Sequence, residues 1–75
     1  MNILDFYSNI RIKSPLYILD DFQEIVLKAE RDGDNVKFRL KHKGCKEVSI
    51  DSKSKTVFDG INGGEFIERK KYEDY

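Results

Sequence analysis

The chain reads as mainly β: a small single-domain antiparallel meander of four to six strands, curled or barrel-like, with room for one short helix. Three observations predict this. Lys37, Arg39, Lys41 and Lys43 alternate with Val36, Phe38, Leu40 and His42, the two-residue rhythm of a strand with one face inward. Asp32-Gly33-Asp34-Asn35 sits between that segment and a second alternating one, as a hairpin turn does. Further turn signals follow at Gly44 and at Ser52-Lys53-Ser54-Lys55.

Taken in order, Ile3, Leu4 and Phe6 suit either one helical turn or an extended arm. Ser8 to Lys13 alternates, with Ile10 and Ile12 on one side, and predicts a short strand ended by Ser14-Pro15. Leu16 to Leu19 is a second short apolar run, closed by Asp20-Asp21. Residues 22–31 admit two readings. A helix over 15–30 would take Ser14 as N-cap, Pro15 at its first position, Leu19, Phe22, Val26 and Ala29 as its stripe, and Gly33 near its end, making the chain α+β. A strand instead puts Ile25, Leu27 and Ala29 on one face, with Lys28 and Glu30 on the other. The strand is preferred, because residues 24–31 then pair with 35–43 across the Asp-Gly turn and more of the sequence is accounted for.

Glu47 to Asp51 returns with Val48 and Ile50 inward, and Thr56-Val57-Phe58 predicts another strand. Gly60, Gly63 and Gly64 mark a loop. Glu65 to Lys71 is a last strand or a short helix anchored by Phe66 and Ile67. Residues 72–75 are expected to fray.

Size and charge narrow the functional classes. A chain of 75 residues is one domain (1–75) with a thin stability margin, since such domains bury only about 60% of their unfolded surface. Charged residues make up 37%, yet 14 basic and 14 acidic residues cancel, removing the long-range field that draws proteins to nucleic acid or anionic membranes. The longest apolar run, Leu16 to Leu19, falls far short of the roughly 20 residues of a membrane span. One cysteine, Cys45, forms no internal disulfide, and the N-terminus lacks a basic segment leading into an apolar one. A cytoplasmic setting is expected.

Each candidate site also has a plain structural reading. Lys37, Arg39, Lys41 and Lys43 form the nucleic-acid alternative, a small β-barrel binding through strand 37–43. The predicted register sets Glu30 opposite Lys37, Glu24 near Lys43, Glu47 beside Lys41 and Asp51 beside Lys37, and no ring stands among the cations to stack on bases. His42 and Cys45 flank a turn without a third group to orient them as a catalytic pair. Asp20, Asp21, Glu24, Asp32 and Asp34 lack the spacing of a calcium loop, and the glycine cluster lacks the Lys-Ser/Thr signature of a phosphate loop. No metal, cofactor or catalytic set is predicted.

The aromatic residues remain. If Val57 points inward along a strand, Phe58 points outward; with Phe66 and the Tyr72 and Tyr75 tail it makes a contact surface for another protein or a second copy. The structural alternative packs Phe58 beneath the N-terminal arm. The expectation is thus a non-enzymatic binding protein acting through protein–protein contacts, as adaptor, inhibitor or subunit, of a size that suits a phage or mobile element. A small-ligand sequestering protein is a further alternative, which would need a pocket with convergent polar groups.

Overall fold

The computed structural model describes residues 2–75. The chain runs α1 (Ile3–Ile12), β1 (Leu16–Asp20), β2 (Ile25–Asp32), β3 (Asn35–His42), β4 (Val48–Ile50), α2 (Lys55–Gly63), β5 (Glu65–Ile67) and α3 (Arg69–Glu73). All five strands lie antiparallel in one sheet, in the order β4-β3-β2-β1-β5. The mainly β meander expected from the alternation is present. The sheet stays open, and helices rather than barrel closure cover its apolar surface.

The central hairpin has the expected register. Eight pairs run from Ile25 opposite His42 to Asp32 opposite Asn35, with Glu30 opposite Lys37. Gly33 supplies the left-handed φ of +61° that the tight turn requires. The helix over 15–30 does not form: Pro15 leads into β1, and the Ser14 hydroxyl accepts the Arg31 backbone N–H at 2.9 Å instead of capping a helix.

Two predicted strands are helices. Residues 8–12 complete α1, with Lys13 as its C-cap, because Phe6 and Ile10 lie four apart and share one buried face. The alternation of Ile10 with Ile12 was coincidental: Ile12 is 87% exposed. Asn2 caps α1 by accepting the Asp5 N–H at 2.8 Å. Residues 56–58 likewise belong to α2, where the Ser54 hydroxyl accepts the Val57 N–H at 3.2 Å, so the polar Ser52–Lys55 stretch ends as a helix cap.

The predicted glycine loop is the second half of α2. A Cβ on Gly60 would sit 2.6 Å from Leu27 Cδ1, so the missing side chain lets α2 lie close on β2. Gly64 is tighter still: a Cβ there would meet Gly60 O at 2.5 Å, Ile18 Cγ2 at 2.6 Å and Leu19 O at 2.8 Å.

Both sheet faces carry apolar cover. On one, Phe6 and Ile10 of α1 and Val57 and Ile61 of α2 pack on Leu16, Ile18, Ile25, Leu27, Ala29, Phe38 and Leu40, with Phe6 and Phe38 stacked at 5.7 Å. On the other, Tyr72 of α3 packs with Leu19 and Val26, flanked by Tyr17, Ile67 and Tyr75. This double cover explains why β1 and the start of β2 read as continuous apolar runs. At the β4 edge Ile50 is half-buried, but Val48, expected inward, is exposed.

The C-terminal segment makes specific contacts with the sheet. Tyr72 is 3% exposed, its hydroxyl donates to Glu47 Oε2 at 2.6 Å, and the Gly44 N–H donates to the Tyr75 carbonyl at 2.9 Å. The ring that anchors this end came from a segment whose charge suggested solvent.

Candidate protein-interaction surface

The basic strand is occupied by structural partners. Lys37 pairs with Asp32 at 3.2 Å and Arg39 with Glu47 at 3.1 Å. Lys41 donates to the carbonyls of Tyr72 and Glu73 at 3.0 and 2.9 Å, with its ammonium 5.4 Å from the Tyr72 ring centre. A lysine there satisfies the last carbonyls of α3. Lys43 lines a shallow depression with Glu68, Lys70, Lys71, Asp74 and Tyr75, where cations and acids are mixed. The residues that suggested a nucleic-acid face largely hold the sheet and α3 together.

Glu47 is the hub of this face. The hydrogen bond from Tyr72, seconded by Arg39, holds its carboxyl below the usual glutamate value, with burial opposing. Burial and the same carboxylate push the Tyr72 phenol up. Tyr75 is also raised, first by burial and then by Asp21, Glu24 and Asp20.

The remaining constellations have structural explanations. His42 and Cys45 are both exposed, and the Cys45 N–H donates to the His42 carbonyl across the Gly44 turn. Gly60 to Gly64 end a helix, where carbonyls rather than N–H groups point outward, so the polarity is wrong for phosphate. Among the described residues, no three His, Cys, Asp or Glu side chains gather as metal ligands, and no helix is long and apolar enough to cross a membrane.

The predicted aromatic set divides between the two sides of the sheet. Phe58 is 55% exposed and stands on a helix, not on a strand. Phe66 is 41% exposed on β5; it pairs with Ile18 and so faces the side covered by α1 and α2. Tyr72 and Tyr75 lie on the opposite side, buried and half-buried. Tyr72 is therefore a core anchor and is withheld from solvent.

The most exposed ring is one that only the alternative helix over 15–30 gave a role, as part of its stripe. Phe22, in the turn between β1 and β2, is 97% exposed. Its turn is firmly built. Asp20, only 2% exposed, accepts the N–H groups of Phe22 and Gln23 at 3.0 and 3.4 Å and the Gln23 amide at 2.7 Å. That amide also donates to the Thr56 carbonyl at 3.1 Å, fastening the turn to α2. Glu24 closes the turn at a φ of +55°, a conformation that costs a non-glycine residue about 1 kcal/mol or more. The Asp20-Asp21 turn signal, followed by a ring before the next strand, was the available clue.

Phe22, Phe58 and Phe66 thus stand on a turn, a helix and an edge strand that adjoin one another: Gln23 ties the turn to α2, and Gly64 joins α2 to β5. Beside Phe22, a depression of about 400 Å3 is lined by Leu19, Asp21, Phe22, Gly63, Gly64 and Glu65. Comparison with family models, curated proteins and solved structures finds no match for this chain.

Proposed function

We propose that this chain is a non-enzymatic binding module that acts through contact with another protein, using the surface formed by Phe22, Phe58 and Phe66. The observation that carries the reading is Phe22: a phenylalanine left in water on a hydrogen-bonded turn whose backbone is held in a strained conformation. A ring that stays in water contributes nothing to the fold, and a partner that covers it gains the burial the fold forgoes. A rigid turn also loses little entropy on binding, which suits an anchor residue.

The basic-strand alternative is less well supported, since Lys37, Arg39 and Lys41 are engaged within the fold. Affinity capture from the native host tests the reading. The wild type and a Phe22→Ala/Phe58→Ala/Phe66→Ala variant are compared by mass spectrometry. A protein retained by the wild type and lost by an equally folded variant is the expected result. Identical captures refute the surface, and a second copy of the chain as the captured species makes it a homodimer contact.

A further inference from the structure

We infer that the depression beside Phe22 receives a cationic side chain of the partner, an arginine above all, with its stem against the Phe22 ring and its guanidinium between Asp21 and Glu65. The inference rests on the protein-binding reading and adds the chemistry of what binds. The depression is lined by Phe22, by the side-chain-free pair Gly63 and Gly64, and by two acidic residues, Asp21 and Glu65. A planar guanidinium stacks on an aromatic face and donates to two acceptors at once, which a compact ammonium does less well.

Charge complementarity selects this occupant. Among the described residues, the salt bridges join Lys37 to Asp32, Arg39 to Glu47 and Arg69 to Glu73, leaving Asp21, Glu24 and Glu65 outside every one. The β2–β3 pairing ends at Ile25 opposite His42, and Lys43, the next residue, lines a separate depression with Lys70 and Lys71. On a chain with no net charge, Asp20, Asp21 and Glu24 fall together in and beside the Phe22 turn, and Glu65 lines the depression with Asp21. A cation entering it gains attraction and also covers part of the exposed ring.

The test uses random linear peptides displayed on phage, selected against the intact chain and mapped by amide chemical shifts. Peptides rich in arginine are expected, perturbing the amides of Asp21, Phe22, Gly63, Gly64 and Glu65. Replacing the key arginine by citrulline, or introducing Phe22→Ala or Asp21→Asn/Glu65→Gln, weakens binding by about tenfold or more, the order set by losing a contact to a charged group. These side chains are exposed, so the variants keep the wild-type melting temperature. Peptides that map to this surface but tolerate citrulline overturn the arginine inference and leave the protein-binding reading standing. If no selected peptide perturbs the Phe22, Phe58 or Phe66 amides, both fall.

Discussion

Removing the Tyr72 hydroxyl distinguishes a docked C-terminal helix from a frayed tail. In Tyr72→Phe the ring still covers Leu19 and Val26, and only the 2.6 Å bond to Glu47 is lost. Hydrogen bonds to charged groups contribute about 1.5–3 kcal/mol. Glu47 keeps 29% of its side chain exposed and retains Arg39 as a partner, so water compensates part of the loss. The expected cost is about 1–2 kcal/mol. Tyr72→Ala also empties the space beneath α3 and costs about 3 kcal/mol or more, a large share of what a domain this small possesses. Urea unfolding followed by circular dichroism reads both. A double-mutant cycle with Glu47→Gln should return most of the Tyr72→Phe loss as coupling. If Tyr72→Ala shifts stability by less than about 0.5 kcal/mol, as exposed positions do, the docked α3 is wrong.

Three further outcomes are expected. Gly64→Ala drives a methyl into the Gly60 and Leu19 carbonyls and Ile18, costing about 2–3 kcal/mol or more by thermal unfolding, while Gly33→Ala costs about 1 kcal/mol for its left-handed φ. Glu47 titrates below its ordinary 4.5 when folded, so its contribution is present above about pH 4.5 and is lost as pH falls through the lower folded value; Tyr72, raised above 10, contributes fully below pH 10 and loses its contribution as pH rises beyond it. Stability of Tyr72→Phe should therefore be flatter than wild type at both ends of a pH series, and parallel curves would refute the pairing. Fluorescence-polarisation titration with single-stranded and duplex oligonucleotides should show no sub-micromolar binding at about 0.15 M salt, and steeply salt-dependent binding there would revive the basic-strand alternative.

The parts of the fold that were legible are those where a local pattern is also the tertiary pattern. In β3, and in β2 from Leu27 onward, the period of two runs up to the Asp-Gly turn and indicates which residues pair and which face the core. The same logic failed where local and tertiary signals diverge. Gly60 reads as a helix breaker, but its absent Cβ answers to Leu27, more than 30 residues away in sequence. Phe6 and Ile10 provide too few helical contacts to outweigh an accidental alternation at Ile10 and Ile12. Tyr72 is fixed by Glu47 and Lys41, partners that no window around the tail contains. Of the aromatic residues singled out, Phe58 and Phe66 are exposed, whereas Tyr72 is a core residue. Phe22 was missed because the preferred strand begins after it and its exposure depends on a turn built by the Asp20 carboxylate.

The central claim, that the Phe22 surface meets a protein, is tested most directly by placing a photo-crosslinking phenylalanine analogue at position 22 in the native host. Position 30, exposed on strand β2, serves as the control. The account predicts one dominant protein adduct at position 22 that is absent at position 30. No adduct at 22, an adduct with nucleic acid, or the same adducts at both positions would contradict it.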